Sequence, residues 1–223
     1  MKAMILAAGE GRRMRPLTDT IPKPLLQVQG KSLLEHHILR LAQAEVREII
    51  INVAYLGDLI QESLGDGAQF GVEIQYSIEP SPLETAGALW HAQTTLGQDP
   101  FILVNGDVWT DYPFAMLREH TLRGLGHLVL VPNPPFKTNG DFSIGRNSEL
   151  LPAASQTYTF AGISMLSPQL LTQYPSPKRC MPLKPLLDWG IQQKSFDAEV
   201  YRGVWSDVGT PERLAKLNQV SDV

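Results

Sequence analysis

The first 26 residues constrain the fold most, because an apolar run there breaks directly into a glycine-rich, cationic loop. Residues 3–8 are apolar, and they are followed by Gly9, Gly11 and three arginines, Arg12, Arg13 and Arg15. Glycines let backbone N–H groups approach phosphate oxygens closely, and nearby cations neutralise several negative charges at once. A short buried strand leading into such a loop therefore predicts a nucleoside-triphosphate site.

The charge distribution favours a small anionic ligand over a long polyanion. The chain of 223 residues has a formal net charge of -4, which argues against a protein that coats nucleic acid. Residues 1–31 nevertheless carry six Lys or Arg against Glu10 and Asp19, a local charge of +4, so the remaining chain carries -8. Such a concentrated positive segment suits a compact polyphosphate.

Cysteine content and hydropathy indicate where the protein works. A single cysteine, Cys180, excludes an internal disulfide and fits a reducing compartment. The first apolar run is too short for a signal peptide, and no stretch approaches a membrane span. We therefore expect a soluble, cytoplasmic protein.

Hydrophobic periodicity in the first half predicts alternating strands and helices. Ser32 and Glu35 form a capping-box pattern before a helix over 33–44. Strands are predicted at 48–53, 72–77 and 101–104, and helices at 56–64 and 85–96. This order predicts a mostly parallel sheet with helices on both faces, with ligands at the carboxyl ends of its strands. The glycine loop and Asp107 both follow predicted strands, so we expect them at one edge.

The second half is less regular but continues the same architecture. Strands are predicted at 128–131, 158–166 and 196–203, a hairpin at 142–152, and helices at 167–174 and 182–192. Thr210 and Pro211 are a helix N-cap and first-turn pair that would start the last helix. His36 and His37 lack metal-ligand spacing and are predicted to be surface residues. We find no linker or repeat, so residues 1–223 are expected to form one domain.

Taken alone, each of these motifs has an ordinary alternative. The third glycine of a dinucleotide fingerprint is replaced by Met14, and no Gly-Lys-Ser/Thr follows, which disfavours both an NAD site and a Walker loop. Asp107 is also compatible with a helix N-cap, and Asp207 with a turn before Gly209. If the sheet brings the two carboxylates together, they can share one Mg²⁺.

Four ordered motifs together resemble the sugar-1-phosphate nucleotidyltransferase family. They are LAAGEGRRMRPLT at 6–18, PKPL at 22–25, NGD at 105–107 and WSDVGTPE at 205–212. The resemblance implies a Rossmann-like nucleotidyltransferase fold of the α/β class. It is greatest to short bacterial members that use UTP and N-acetylmuramic acid 1-phosphate in cell-wall (peptidoglycan) recycling. Members that transfer GMP to mannose 1-phosphate are the second choice.

The resemblance also implies a set of site residues. Arg13, Lys23 and Asp107 would be catalytic, with Arg13 on the leaving phosphates and Lys23 between the α-phosphate and the sugar phosphate. Asp107 and Asp207 would hold Mg²⁺, the expected cofactor. The nucleotide would be bound by Ala8, Gly9, Gly11, Arg12, Arg13, Lys23, Glu79 and Thr85, and the sugar phosphate by Asn105, Gly140, Asp141 and Trp205.

Several of these roles have competing interpretations. Glu79 would accept from uracil N3–H, but a solvent-facing loop glutamate fits the sequence equally well. Thr85 is also compatible with a helix cap, Gly140 and Asp141 with an ordinary turn, and Trp205 with core packing. The Glu-Lys-Pro element of many relatives is absent, and Glu149-Leu-Leu-Pro152 stands there instead. The chain stops after the last helix, which favours a monomer.

The expected reaction needs no nucleophilic side chain. A phosphate monoester is largely dianionic at neutral pH, with a second pKa of about 6, and can attack the α-phosphorus directly with loss of pyrophosphate. Two other functions remain open on the same fold. A choline-phosphate cytidylyltransferase would need an aromatic cage, and a non-catalytic nucleotide-sugar sensor could dispense with the metal carboxylates that this chain retains.

Overall fold

The computed structural model describes residues 1–219, which form thirteen strands and eight α-helices within that range. The strands are β1 (Lys2–Leu6), β2 (Gln27–Val28), β3 (Lys31–Ser32), β4 (Glu48–Val53), β5 (Glu73–Ile78), β6 (Phe101–Asn105), β7 (Val108–Thr110), β8 (Gly126–Val131), β9 (Phe142–Ile144), β10 (Leu150–Pro152), β11 (Thr159–Leu166), β12 (Phe196–Val200) and β13 (Trp205–Asp207). The helices are α1 (Leu33–Gln43), α2 (Gly57–Leu64), α3 (Glu84–His91), α4 (Gln93–Leu96), α5 (Ala115–Glu119), α6 (Gln169–Gln173), α7 (Leu183–Gln192) and α8 (Pro211–Gln219). Residues 220–223 lie outside the described range.

A seven-stranded sheet with the order β12-β8-β11-β6-β1-β4-β5 forms the centre of the molecule. All neighbours pair in parallel except β11, which is antiparallel to both β6 and β8. The central strands β4 and β6 are apolar and buried over most of their length, as expected for a sheet covered on both faces. The predicted mixed, mostly parallel sheet is confirmed.

Successive residues of β1 point to two different hydrophobic clusters. Ala3 and Ile5 pack with apolar residues of α1 and α2, whereas Met4 packs with those of α3 and α7. This alternation follows from the two-residue period of a strand. Helices therefore cover both faces of the sheet, as predicted.

The capping box and the hairpin formed as the sequence predicted. Ser32 accepts from the Glu35 backbone N–H while the Glu35 carboxylate accepts from the Ser32 N–H. Strands β9 and β10 pair antiparallel within the predicted hairpin at 142–152. Among residues 1–219, no helix combines the length and apolar character that crossing a bilayer requires.

Some element predictions were wrong. The helix expected at 85–96 is divided between α3 and α4 at Ala92, the strand at 196–203 ends at Val200, and the helix at 167–174 covers only α6. Short elements β7, β13 and α5 were not predicted, because three to five residues carry no detectable period. His37 was predicted at the surface but is buried, because it lies on the inner side of α1 against Phe114.

Candidate active site

A cleft of about 620 Å³ opens at the carboxyl ends of β1, β4 and β6. Strand ends, the glycine loop and the loop before α3 supply its walls, as expected for a sheet of this kind. Its lining includes Asp107, the sugar-side residue Asn105 and all eight predicted nucleotide-binding residues, namely Ala8, Gly9, Gly11, Arg12, Arg13, Lys23, Glu79 and Thr85. Gly140, Asp141, Trp205 and Asp207 are not among the lining residues.

Gly11 gives the loop its tight fold over Lys23. Its φ is +63°, and an added Cβ would lie 2.9 Å from the Lys23 Cβ and 3.0 Å from the Thr18 Cγ2. The Thr18 hydroxyl donates to the Gly11 carbonyl at 2.9 Å. Because both conformation and space exclude a side chain, the loop closes onto Lys23 and holds it at the floor of the cleft.

The two arginines after Gly11 are in different environments. The Arg12 Nε donates to a Glu10 carboxylate oxygen at 2.6 Å, and this hydrogen bond lowers the pKa of Glu10. Arg13 is exposed on the cleft and forms no ion pair with any residue from 1 to 219. Its guanidinium is therefore available to an anion in the cleft without first breaking a contact.

Lys23 and Asp107 form the best-buried ion pair at the cleft floor. The Lys23 Nζ lies 2.5 Å from the Asp107 Oδ2, and the lysine side chain is only 10% exposed. Gly106, just before Asp107, lets the chain after β6 lie close to the end of β1. Its N–H donates to the Leu6 carbonyl, and an added Cβ would lie 2.5 Å from that oxygen.

Asp107 and Asp207 lie beside each other although 100 positions separate them in the sequence. β13 pairs with β7 so that Asp207 is opposite Val108, and the Val208 N–H donates to the Asp107 carbonyl at 2.8 Å. The Asp207 carboxylate forms an ion pair with Arg213 on α8. Each carboxylate thus has a cationic partner from the chain.

These two carboxylates fit a hard divalent cation. Carboxylate oxygens are the ligands that Mg²⁺ prefers, and it commonly takes one or two of them together with phosphate oxygens. In this structure the positive charges of Lys23 and Arg213 neutralise the Asp107 and Asp207 carboxylates. A bound cation would take over that neutralisation. The residues present therefore fit the metal that the family resemblance implies.

Glu79 is buried rather than solvent-facing, and both of its carboxylate oxygens have partners in the chain. Oε1 accepts from the Asn52 side-chain amide at 2.7 Å, and Oε2 accepts from the Leu83 N–H at 2.9 Å. The Asn52 carbonyl oxygen in turn accepts from the Ala7 N–H at 2.8 Å. This network joins the ends of β1 and β4 to the loop before α3, and base reading by Glu79 stays a prediction.

The start of α3 lies at the other side of the cleft. The helix begins at Glu84, so Thr85 is inside the first turn and is not its cap. Glu84 has a φ of +62°, an unfavourable value for a residue with a side chain, and such conformations cluster at ligand-binding positions. The Ala86 and Gly87 N–H groups donate to the Met181 carbonyl, which fixes this helix end against the loop before α7.

The four predicted sugar-side residues surround an irregularity in β11. The register of β11 with β8 shifts between Phe160 and Ile163. The Asp141 carboxylate accepts from the Phe160 N–H, the Trp205 indole donates to the Ala161 carbonyl at 2.8 Å, and Asn105 packs against Gly162. Gly140 precedes Asp141 and contacts Tyr158, where a Cβ would lie 2.5 Å from a carbonyl oxygen.

Two of these sugar-side residues, Asp141 and Trp205, also make contacts that stabilise the fold. Asp141 also pairs with Lys137 at 2.6 Å, and Trp205 is packed against the core. Asn105 alone of the four lines the cleft. All four contact a residue within 158–162, in the irregular part of β11 or just before it, and Asn105 at the end of β6 connects this region to the cleft.

Sequence reasoning missed two residues of the site. Asn52 is the last residue but one of β4 and has apolar neighbours, and a polar residue near the end of a buried strand was the signal that could have found it. Arg213 follows Asp207 by six positions at the start of α8. A cation in the first turn of a helix interacts unfavourably with the helix dipole. Its presence there was a sign that the arginine has a specific anionic partner.

A mixed sheet with a glycine loop and cationic side chains in a cleft at its strand ends is typical of nucleotide-binding α/β enzymes, and comparison with known proteins gives its family. The nucleotidyl transferase family model matches residues 2–221, so the chain belongs to the nucleotidyl transferase family. The expected sugar-1-phosphate nucleotidyltransferase is thereby confirmed as the kind of enzyme.

Two curated relatives align over nearly the whole chain. The N-acetylmuramate alpha-1-phosphate uridylyltransferase of Neisseria meningitidis serogroup B is 45% identical, covering 99% of this chain and 98% of that enzyme. The mannose-1-phosphate guanyltransferase of Aspergillus oryzae is 35% identical, covering 95% of this chain but 62% of that protein. The chain therefore matches the first relative along its full length and the second only in part.

Two solved structures share the fold. A protein from Bacillus anthracis described as a candidate glucose-1-phosphate thymidylyltransferase, in complex with sucrose, has a TM-score of 0.87 at 23% identity and covers 99% of this chain and 94% of its own. HddC from Yersinia pseudotuberculosis complexed with GMP-PN has a TM-score of 0.78 at 25% identity, with 98% of each chain covered. The predicted Rossmann-like nucleotidyltransferase fold is confirmed.

Proposed function

We propose that this enzyme transfers UMP from UTP to N-acetylmuramic acid α-1-phosphate, giving the UDP-sugar and pyrophosphate. The 45% identical relative carries this activity in its name and aligns with 99% of the chain. The observation that carries the proposal is the Lys23–Asp107 ion pair beside the glycine loop in the cleft, with Asp207 on the strand paired next to Asp107. Two acids from distant parts of the chain and a cationic loop are what an Mg²⁺-bound triphosphate requires.

In this proposal each residue has a distinct electrostatic role. Backbone N–H groups of Ala8, Gly9 and Gly11 face the triphosphate, and Arg12 and Arg13 neutralise it, with Arg13 on the leaving β- and γ-phosphates. Asp107 and Asp207 would hold Mg²⁺, which when bound neutralises phosphate charge as a Lewis acid. Lys23, released from Asp107, lies between the α-phosphate and the attacking sugar phosphate.

The chain needs to supply alignment and charge neutralisation rather than a nucleophile. The sugar 1-phosphate is already dianionic near neutral pH, so its oxygen attacks the α-phosphorus without a general base. The bond from the α-phosphorus to the bridging oxygen breaks as the new bond forms, and pyrophosphate leaves in line. Lys23 and Arg13 reduce repulsion between the two anions and stabilise charge that develops on the leaving group.

On the sugar side, we propose that Asn105, Gly140, Asp141 and Trp205 form the acceptor subsite around the β11 bulge. Asp141, Trp205 and Asn105 contact the consecutive residues Phe160, Ala161 and Gly162, and Gly140 contacts Tyr158, which supports this grouping. Glu79 and Thr85 are assigned to the nucleotide side, where both line the cleft. The proposal adds that residues 1–223 act as one domain and as a monomer in the cytoplasm.

The substrate assignment is tested with a matrix of nucleoside triphosphates and sugar 1-phosphates, read by pyrophosphate release. The pair UTP and N-acetylmuramic acid α-1-phosphate should exceed every other pair in kcat/KM. A preference for GTP and mannose 1-phosphate would replace the proposal with the guanylyl transfer that the Aspergillus relative's name describes. Turnover with choline phosphate and CTP, or binding without turnover, would reject it.

The metal assignment is tested by Asp107→Ala and Asp207→Ala, with Asp188→Ala as the matched control. Asp188 is an exposed carboxylate that pairs with Lys184 on α7, away from the cleft. We expect pyrophosphate release to require Mg²⁺ and to fall at least about 10²-fold in the first two variants only, the scale of losing one electrostatic group. Normal turnover in either cleft variant would show that the assignment is wrong.

A further inference from the structure

A second cluster of potential metal ligands lies at the edge of the sheet opposite the cleft. His127 and Asp197 are the second residues of β8 and β12, and they are paired with each other in register. Both strands run in the same direction as β1, because β11 is antiparallel to β6 and β8. Their first residues therefore lie at the edge away from the strand ends that form the cleft.

Three donor atoms converge there within 4.8 Å of one another, from His120, His127 and Asp197. The His127 Nδ1 lies 3.2 Å from Asp197 Oδ1, and the His120 Nε2 lies 3.3 Å from Asp197 Oδ2. In a tetrahedral site with metal–ligand bonds of about 2.0–2.1 Å, neighbouring ligand atoms are about 3.3 Å apart. Each histidine nitrogen lies at about that spacing from one Asp197 oxygen, with the two nitrogens facing different oxygens of the carboxylate.

The ring nitrogens are placed like metal ligands rather than like hydrogen-bond donors. Both the His120 Nε2 and the His127 Nδ1 are buried, and neither makes a hydrogen bond of acceptable geometry with any residue in 1–219. The His127 side chain is only 6% exposed. Each nitrogen faces an Asp197 oxygen, at 3.3 and 3.2 Å, but in poor hydrogen-bond geometry, and buried polar nitrogens that are poorly satisfied are costly. A cation shared with that carboxylate would satisfy both rings.

A second carboxylate, that of Glu199, lies beside the cluster. A ligating histidine usually directs its other ring nitrogen to a carboxylate, and that carboxylate is itself hydrogen-bonded. Here the His127 Nε2 lies 3.8 Å from Glu199 Oε1, and the buried Tyr112 hydroxyl donates to the same oxygen. Asp197 and Glu199 together carry the two negative charges that balance a divalent cation.

We propose that His120, His127 and Asp197 bind one Zn²⁺ ion, with water as the fourth ligand. Two imidazole nitrogens and one carboxylate oxygen form a donor set suited to Zn²⁺, whereas Mg²⁺ prefers oxygen ligands alone. The ion ties the segment after α5 to β8 and to the edge strand β12. This site is separate from the pair of aspartates assigned to Mg²⁺, and it acts on the stability of the sheet edge rather than on the reaction.

The test is a Zn²⁺ titration of the full chain after removal of any affinity tag and of metal by a chelator. A competing chromophoric chelator reports free Zn²⁺, and millimolar Mg²⁺ protects the cleft carboxylates. We expect one Zn²⁺ per chain, an increase in the melting temperature on binding, and a tetrahedral absorption spectrum when Co²⁺ is used instead.

Variants decide whether this cluster holds the ion. His120 is partly exposed on a connecting segment, so His120→Ala should fold, and Asp197→Asn is the second variant. Each should weaken Zn²⁺ binding at least about tenfold and abolish the thermal shift. His91→Ala, which removes a histidine on α3, should leave both unchanged. Absence of stoichiometric binding to the unmodified chain, or equal binding by His120→Ala, would overturn the proposal.

Discussion

The buried network around Glu79 gives a prediction whose magnitude follows from hydrogen-bond geometry. Glu79→Gln replaces one carboxylate oxygen by an NH₂ group, which cannot accept. One oxygen of Glu79 faces the Leu83 backbone N–H and the other faces the Asn52 amide, so both neighbours are donors. The Asn52 side-chain amide cannot flip to compensate, because its oxygen already accepts from the Ala7 N–H. Either orientation of the new amide therefore places two donors against each other.

The expected loss is the cost of one buried, unsatisfied donor pair, about 2 kcal/mol within the usual range of 1–3 kcal/mol. For a chain of this size, 1 kcal/mol corresponds to roughly 2–4 °C in the melting temperature. We therefore expect Glu79→Gln to melt about 4–8 °C lower. Urea unfolding followed by tryptophan fluorescence gives the free energy of unfolding independently.

A compensating change sharpens the test. Asn52→Asp supplies a carboxylate that accepts from the Ala7 N–H and from the new amide, so the double variant Asn52→Asp/Glu79→Gln restores every hydrogen bond. Asn52→Asp alone sets two carboxylates face to face and should be less stable than either other variant. We expect a favourable coupling energy of about 1–3 kcal/mol in the double-mutant cycle.

The matched control is Glu62→Gln, which makes the same chemical change at an exposed position of α2. Its effect should stay within about 0.5 kcal/mol. If Glu79→Gln were no more destabilising than this control, or if the double variant were less stable than Glu79→Gln, the network would not hold the loop as argued.

Three further predictions follow from the same structure. Lys23→Met should lower kcat about 10²–10³-fold, whereas Lys184→Met should not, as measured by pyrophosphate release; near-normal turnover would contradict the role of Lys23. Gly106→Ala should lower the melting temperature because its Cβ would lie 2.5 Å from a carbonyl oxygen, whereas Gly9→Ala has no atom within 4 Å and should affect triphosphate binding alone. Burial lowers the pKa of His37 to about 4, whereas the same histidine in the unfolded chain is protonated below about pH 6.5. As the pH falls from 6.5 towards 4, the unfolded state therefore binds this proton and the folded state does not, which lowers the free energy of unfolding by up to about 3 kcal/mol. His37→Leu should remove that part of the acid sensitivity in urea unfolding measured across this range, and an unchanged pH dependence would show that His37 is not responsible.

Local patterns determined most of the architecture. The apolar run of β1, the capping box at Ser32 and the β-branched strand β4 depend on neighbours within a few positions, so their structure is readable from sequence. The same holds for the glycine loop, since Gly11 is required by its own backbone conformation. The order of these elements was sufficient to predict the mixed parallel sheet and the edge at which the cleft lies.

Tertiary structure decided which distant groups meet. Nothing between Asp107 and Asp207 indicates that the three-residue strands β7 and β13 pair, and this pairing brings the two residues to neighbouring positions. Asn52 became part of the site because β4 ends beside β1, and His127 met Asp197 because β8 and β12 are neighbours in register. Sequence determines a motif when its energy comes from local hydrogen bonds and apolar periodicity. It leaves open the contacts between residues far apart in the chain, because these form only when the whole sheet has assembled.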